Sequence, residues 1–304
     1  HPQMKGVGFT GSTGGGMALI ALANSRREPI PVFAEMGSVN PVFIMPQALA
    51  LRGEEVAKKL AASATASAGQ MCTCPGLFFI IKDSAGVCEL FIQHLVAAFC
   101  AMPRPVMLSP RILAAFHRRL DEIGKTGAVI QRDQSNNPPS CGAVLGNPTR
   151  LITTRASFRS NTTLGEECFG PAAIIVECRN QHEFLEAATL VNGSLTGTIW
   201  ADDDEADSPF ACSLFEPLTR RVGRLIFHGV PTGVEVARAM VHSGPYPASN
   251  RPESSAVGPA AMCRWCRPVC YQNVPDSLLP LELRHANALR IFRVVDGKRH
   301  EPTT

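Results

Sequence analysis

Aromatic residues and net charge are both scarce in this sequence. Phe, Trp and Tyr together make up 6% of the 304 residues, and the net charge is only +3 at pH 7. The Lys and Arg residues are scattered, so the sequence has no basic stripe with interleaved aromatics of the kind that binds nucleic acid. We therefore predict no nucleic-acid partner.

Long apolar runs and a targeting signal are absent as well. The most apolar stretch, at about 91–102, is too short to span a bilayer and includes Gln93 and His94. The chain starts at His1 without an initiator Met, and no charged segment followed by an apolar one comes after it. These absences predict a cytoplasmic protein with no membrane partner.

Cysteine, by contrast, is plentiful. The chain has 11 cysteines, an odd number, and they are spread over a sequence in which 45% of the residues are hydrophobic. We therefore expect small core residues in a reducing compartment rather than a secreted disulfide framework. Cys263 and Cys266 form a C-x-x-C with Cys270 nearby, but no second pair or spaced His pair accompanies them. The sequence thus predicts no metal site.

The order of apolar segments predicts an α/β fold, because strands alternate with helices. A loop rich in Asn, Pro, Ser and Gly is predicted at 133–149. The first strand has no earlier strand to pair with, so we expect further chain upstream of His1. The predicted strands are 7–10, 32–35, 77–81, 172–177, 195–200, 224–228 and 289–295, and the predicted helices are 17–24, 53–68, 87–102, 112–123 and 181–191.

Two motifs near the start of the chain could carry chemistry. The glycine-rich run 11–16 joins a predicted strand to a predicted helix, where backbone amides can cradle a phosphate. The same glycines would suit a simple tight turn, and Met17 stands where a P-loop needs Lys. Glu35 ends the second strand, at the edge where parallel sheets bind ligands. Its carboxylate is either a general base or a solvated strand end.

Two later motifs are also candidates. Cys72 lies in a glycine-flanked loop at 69–76, where a reachable thiol could act as a nucleophile. The alternatives are a buried structural cysteine or, together with Cys74, half of a metal site. The run Glu166-Glu167-Cys168-Phe169-Gly170-Pro171 could bind ribose hydroxyls, or it could be a solvated turn.

Taken in order, the four motifs resemble the aldehyde dehydrogenase superfamily. That family has a cofactor-contacting F-T-G-S-T turn, a general-base Glu after a strand, a G-Q-x-C nucleophile loop and an E-E-x-F-G-P ribose clamp. This chain has F-T-G-S-T at 9–13, Glu35, G-Q-M-C at 69–72 and E-E-C-F-G-P at 166–171. Glu35 and Cys72 lie 37 positions apart, close to the separation in the family.

Further stretches resemble one subfamily, the 2,5-dioxovalerate (α-ketoglutaric semialdehyde) dehydrogenases. These stretches are 34–41, 229–236, 244–248, 267–272 and 293–297. The likeness therefore runs nearly from end to end. It implies that the substrate is a small semialdehyde, 2,5-dioxopentanoate, oxidised to 2-oxoglutarate.

The resemblance also implies a role for each motif. Cys72 would attack the aldehyde, a hydride would leave to NAD or NADP, and Glu35 would activate the water that hydrolyses the resulting thioester. Gly11 and Ser12 would contact the cofactor. Glu167 and Phe169 would position its nicotinamide ribose.

Three domains are implied in the same way. Residues 1–36 would be the end of a Rossmann-type cofactor domain, 37–266 an α/β catalytic domain, and 267–304 a C-terminal segment. The late strand of that segment would pair across subunits in a homodimer or homotetramer. The side-chain amide of the oxyanion hole and most of the dinucleotide-binding sheet would lie upstream of His1.

Two other hypotheses stay open. One is a truncated, inactive fragment that serves at most as an interaction module. The other is a residual thiol hydrolase, in which Cys72 and Glu35 act without a cofactor.

Overall fold

The fold was analysed in a computed structural model that describes residues 1–103, 105–132, 146 and 149–301. The predicted loop at 133–149 lies outside these residues, apart from Gly146 and Thr149. The chain forms two compact units, His1–Arg264 and Trp265–Thr304. The domain limits 1–36, 37–266 and 267–304 stay a prediction.

The larger unit begins with a strand, a helix and a second strand. Strand β1 (Val7–Thr10) pairs in parallel with β2 (Val32–Glu35), and helix α1 (Thr13–Asn24) connects them. Apolar side chains of β2 and α1 form a small core of their own, which includes Ala23, Val32 and Met36. This unit places the end of β1 and the end of β2 side by side, because Thr10 is opposite Glu35 in the register.

A seven-stranded sheet follows, in the order β5-β6-β7-β4-β3-β8-β9. All neighbouring strands are parallel except β5 and β6, which are antiparallel. The strands are β3 (Val42–Ile44), β4 (Leu77–Ile81), β5 (Val129–Arg132), β6 (Thr149–Thr154), β7 (Ala172–Cys178), β8 (Ser194–Trp200) and β9 (Val222–Phe227). Strands β7 and β8 are almost wholly buried, as expected for central parallel strands covered on both faces.

Helices cover both faces of this sheet. Helices α2 (Pro46–Thr65) and α3 (Val87–Ala101) bury Leu60 and Phe91 in one core cluster. Helices α4 (Pro110–Gly124), α6 (Gln181–Leu190) and α8 (Pro209–Thr219) bury Phe116, Phe184 and Leu214 in a second cluster. Short helices α5 (Arg155–Ser160) and α7 (Asp203–Ala206) complete the set. The predicted α/β architecture is therefore confirmed.

Several elements differ from the predicted ones. Strand β3 was not predicted, because it is only three residues long and lies between two prolines, Pro41 and Pro46. Strands β5 and β6 and helices α5, α7 and α8 were not predicted either. The predicted start of α2 was 53, whereas the helix begins at Pro46 and has a non-helical residue at Arg52. The predicted start of the first helix was Met17, whereas Ser12 caps the helix by accepting a hydrogen bond from Gly15 N, so Gly14, Gly15 and Gly16 lie in the first turn.

The C-terminal unit holds a hairpin of β10 (Arg293–Val295) and β11 (Lys298–His300). Asp296 and Gly297 join these strands with positive φ angles, as a tight hairpin turn requires. The late strand is shorter than the predicted 289–295, because Asn287 and Arg290 have left-handed backbone angles just before it.

A bilayer crossing would need a longer and more apolar helix than any found among the residues that the structure describes.

Candidate active site

The first group of the site, Glu35, lies at the C-terminal end of β2. Its backbone is held from two sides, since its carbonyl accepts a hydrogen bond of 3.1 Å from Gly11 and it forms an antiparallel bridge with Ser249. The next residue, Met36, donates to the carbonyl of Ala248 at 2.8 Å. Only 6% of Glu35 is exposed, so the predicted alternative of a solvated strand end does not describe this carboxylate.

The second group, Cys72, lies in the loop that connects α2 to β4. The side-chain amide of Asn40 donates to the carbonyl oxygens of Cys72 and Cys74, each at 2.9 Å. Asn40 is itself 1% exposed and has a left-handed φ of 46°, which an asparagine tolerates better than most residues. Gly69 opens the loop with a positive φ, and a Cβ there would lie 2.1 Å from the carbonyl oxygen of Gly170. The loop conformation is therefore fixed by one glycine and one amide.

His242 joins these two groups. Its Nε2 atom lies 3.5 Å from Cys72 Sγ and 3.3 Å from Glu35 Oε2, and the ligand atoms of all three residues lie within 4.8 Å of one another. The side chain is 6% exposed. The backbone of His242 is clamped, since its N–H donates to Ser255 Oγ at 3.0 Å and its carbonyl accepts from Ala256 at 2.9 Å.

Burial and the neighbouring groups shift the pKa values of Glu35 and Cys72 in opposite directions. Burial raises the pKa of Glu35, but the hydrogen bond and charge of His242, with a smaller hydrogen bond from Cys72, outweigh it and hold that pKa below the ordinary value. Burial, followed by the charge of Glu35 and the hydrogen bond to its carboxylate, raises the pKa of the Cys72 thiol to about 12. The resting site therefore contains a carboxylate next to a protonated thiol.

The predicted cofactor turn follows β1, the strand that pairs with β2 and therefore lies beside the strand that ends at Glu35. Gly11 and Ser12 connect β1 to α1, and Ser12 is the N-cap. Within α1, which is described in full, the first turn carries no acidic residue. A Cβ at Gly14 would meet no described atom within 4 Å, so the start of the helix is open to a ligand. Free backbone amides at an open helix start favour an anion such as a phosphate.

The predicted ribose clamp approaches this turn. A Cβ at Gly37 would lie 3.1 Å from Thr13 Oγ1 and 3.4 Å from Glu167 Oε2, which puts both groups around one glycine. Burial, opposed by a hydrogen bond from the Ser38 backbone and supported by the charge of Glu35, raises the pKa of Glu167 to about 7. Phe169 lines a small pocket together with Gly69 and Glu167.

Arg119 of α4 fixes the backbone of this clamp. Its guanidinium donates to the carbonyl oxygens of Thr163, Glu166 and Glu167, the last two at 3.3 Å. Its side chain is 11% exposed, so these bonds lie largely out of water.

The structure thus brings together Glu35 with Cys72, and it places Glu167 close to Thr13, the residue that follows Gly11 and Ser12. Sequence reasoning missed Asn40, Arg119 and His242. One signal could have found His242, because it lies two positions before the stretch 244–248 on which the subfamily resemblance partly rests.

The comparisons with known proteins identify the family. The model described as "Aldehyde dehydrogenase family" matches residues 1–214. The chain therefore belongs to the aldehyde dehydrogenase family, and the resemblance inferred from its motifs is confirmed.

Two curated relatives match nearly the whole chain. Alpha-ketoglutaric semialdehyde dehydrogenase 2 of Azospirillum brasilense is 40% identical over 301 residues, which are 98% of this chain and 56% of that protein. Alpha-ketoglutaric semialdehyde dehydrogenase of Acinetobacter baylyi is 40% identical over 308 residues, with the same shares of 98% and 56%. This chain thus spans little more than half the length of these relatives.

A solved structure shares the fold. The 1-pyrroline-5-carboxylate dehydrogenase of Thermus with bound NAD superposes with a TM-score of 0.65 at 18% identity, over 82% of this chain and 47% of that one.

Proposed function

We propose that this chain carries the nucleophile and base of an NAD(P)-dependent aldehyde dehydrogenase that oxidises a small semialdehyde to the carboxylic acid. The observation that carries the proposal is the cluster at the end of β2, where a loop thiol and a buried carboxylate lie within 4.8 Å. The four family motifs converge around this cluster and the neighbouring start of α1.

Cys72 is the nucleophile of the proposed reaction. Its Sγ adds to the aldehyde carbon, and Glu35 takes the thiol proton through the hydrogen bond between them. The developing oxyanion receives a hydrogen bond from the backbone N–H of Cys72. After oxidation the substrate is held as a thioester, and Glu35 releases the thiol proton to solvent. It can then take a proton from the water that hydrolyses the thioester, and the carboxylic acid leaves as the Cys72 thiol is restored.

The residues around α1 fit a dinucleotide. The open helix start at Gly14 suits a pyrophosphate, and Glu167 offers a carboxylate to ribose hydroxyls. When bound, NAD or NADP would supply the hydride acceptor. A dehydrogenase of the same fold contains NAD, which supports this assignment.

The names of the two curated relatives favour 2,5-dioxopentanoate as the semialdehyde and 2-oxoglutarate as the product. The competing hypothesis, an inactive fragment acting as an interaction module, predicts no cofactor binding. A calorimetric titration that saturates with NAD or NADP would eliminate that alternative.

Activity is tested by the absorbance of NADH or NADPH formed with 2,5-dioxopentanoate. Because the chain spans 56% of its relatives, the assay uses the chain alone and a chimera with the N-terminal part of the Azospirillum relative. Cys72→Ser should lower turnover by about 1,000-fold or more, since it removes the nucleophile. The control is Cys212→Ser, an exposed cysteine on α8. Equal activity of the two variants would refute the proposal.

A further inference from the structure

We propose that Cys72, His242 and Glu35 form a zinc-binding site, which holds the metal in competition with the reaction of the thiol. The three residues come from three separate segments, and Cys72 and His242 are 170 positions apart. No local spacing of Cys, His and Glu residues in the sequence could therefore indicate this metal site, and none was predicted from the sequence. The proposal rests on the cluster geometry and does not depend on the dehydrogenase activity.

The distances between the three ligand atoms suit a tetrahedral zinc ion. Zinc bonds of about 2.3 Å to sulfur and about 2.0–2.1 Å to nitrogen or oxygen, at tetrahedral angles, separate sulfur from nitrogen by about 3.5 Å and nitrogen from oxygen by about 3.3 Å. The measured separations are 3.5 Å from Cys72 Sγ to His242 Nε2 and 3.3 Å from that nitrogen to Glu35 Oε2. The two separations that involve His242 therefore already match those of a zinc complex. The third, from Cys72 Sγ to the Glu35 carboxylate oxygen, is at most 4.8 Å.

The chemistry of the ligands selects the metal. A thiolate and an imidazole favour zinc over calcium and magnesium, which prefer oxygen alone. One thiolate, one carboxylate and one neutral imidazole carry a charge of −2, so a divalent ion makes the complex neutral. Neutrality matters here because Glu35 and His242 are each 6% exposed, and an unbalanced charge would be costly at such depth.

The supporting contacts hold each ligand in place before any metal arrives. Asn40 fixes the carbonyl of Cys72, Ser255 fixes the backbone of His242, and Ser249 pairs with Glu35. Partners of this kind strengthen metal sites by orienting the ligands. Three protein ligands leave the fourth tetrahedral position for water.

Zinc binding changes the chemistry of the thiol. The ion replaces the Sγ proton, which leaves to the buffer, and the sulfur lone pair is then shared with the metal. A metal-bound Cys72 cannot react with an electrophile, so zinc and covalent modification compete for the same atom.

The first test is calorimetric titration with zinc chloride in a Cys263→Ser, Cys266→Ser, Cys270→Ser background, because those exposed cysteines could bind zinc themselves. We expect one zinc per chain. Cys72→Ser and His242→Gln should each weaken binding by about 100-fold or more, at or beyond the effect of losing a supporting partner. Cys74→Ser is the matched control, since the Cys74 thiol donates a hydrogen bond of 3.6 Å to the Ala66 carbonyl oxygen and lies outside the cluster.

A second measurement needs no variant that could misfold. Zinc should slow the alkylation of Cys72 by iodoacetamide about 10-fold or more, as read by peptide mass spectrometry, and EDTA should restore the rate. Unchanged alkylation of Cys72, or equal zinc affinity in the Cys72→Ser and Cys74→Ser proteins, would overturn the proposal. Neither readout involves cofactor or aldehyde, so a failure here is separate from a failure of the proposed dehydrogenase.

Discussion

At the scale of single residues, the carboxylate of Glu35 opposes the ionisation of the thiol beside it. Burial and the charge of Glu35 raise the pKa of Cys72 to about 12, so replacing that charge should lower this pKa. We predict that Glu35→Gln speeds the alkylation of Cys72 at pH 8, about tenfold for each unit by which the pKa falls. The rate is measured by iodoacetamide labelling and peptide mass spectrometry.

The same substitution should act in the opposite direction on the proposed turnover. Loss of a general base typically slows a reaction by about 10²- to 10⁴-fold. Glu28→Gln is the control, because Glu28 is an exposed carboxylate that pairs with Lys5 at 2.8 Å. If Glu35→Gln left the labelling rate of Cys72 unchanged, the electrostatic account of this site would be wrong.

Glu167 gives a second prediction at this scale, on stability. Its pKa is raised by burial from 4.5 to about 7, so between these values the folded chain holds a proton that the unfolded chain has lost. The stability contributed by Glu167 is therefore complete below pH 4.5 and disappears as the pH rises through about 7. We predict that Glu167→Gln raises the melting temperature relative to the parent protein at pH 8 and has little effect at pH 5.

Thermal unfolding at the two pH values tests this expectation. Glu166→Gln is the matched control, since Glu166 is the exposed neighbour in the same loop. A stabilisation by Glu167→Gln that is equal at both pH values would contradict the assigned cause.

How far sequence could foresee the site also depends on single residues. Glu35 and Cys72 were predicted because each lies inside a local motif, and the structure brings their side chains together. His242 was missed because its partners are distant in the chain, and only packing brings it to Cys72. Asn40 was missed for a related reason, since its function is to bond the backbone carbonyls of another loop.

At the scale of elements, α4 supports the predicted ribose clamp through one side chain. Arg119 donates to three carbonyl oxygens of the segment 163–167 while largely shielded from water. Hydrogen bonds from a charged group contribute about 1.5–3 kcal/mol each, and removal of the donor leaves carbonyls unpaired. We predict that Arg119→Ala lowers the free energy of unfolding by about 2–3 kcal/mol and weakens NAD(P) binding.

Urea unfolding and calorimetric cofactor titration measure the two effects. Arg118→Ala is the control on the same helix, because Arg118 is exposed, and its effect should stay within about 0.5 kcal/mol. Equal unfolding free energies and equal cofactor affinities in the two variants would mean that α4 does not support the predicted clamp.

The elements were predictable where periodicity was long and uninterrupted. Helix α3 and strand β4 match their predicted limits to within a residue, because their apolar patterns run from end to end. Strand β3 has three residues, too few to show a pattern, and its identity comes from its neighbours β4 and β8. Helix α2 was predicted only from 53 onward, although it begins at Pro46, and the backbone at Arg52 between the two parts is non-helical.

At the scale of the whole molecule, the C-terminal unit carries apolar side chains that face solvent. Phe292 and Val294 are 59% and 72% exposed, and their spacing puts both on one face of the chain at β10. Family resemblance predicts that this late strand pairs across subunits. An exposed apolar strand edge is a ready surface for such pairing, and a lysine there blocks it.

We therefore predict that Val294→Lys converts a homodimer or homotetramer into a species of lower mass without loss of helix content. Light scattering measures the mass, and circular dichroism checks the fold. Glu282→Lys is the control, because it adds positive charge to an exposed position of the same unit outside the hairpin. A mass that is unchanged by Val294→Lys would mean that the hairpin is not the subunit contact. Dissociation only in Val294→Lys would assign the assembly to β10.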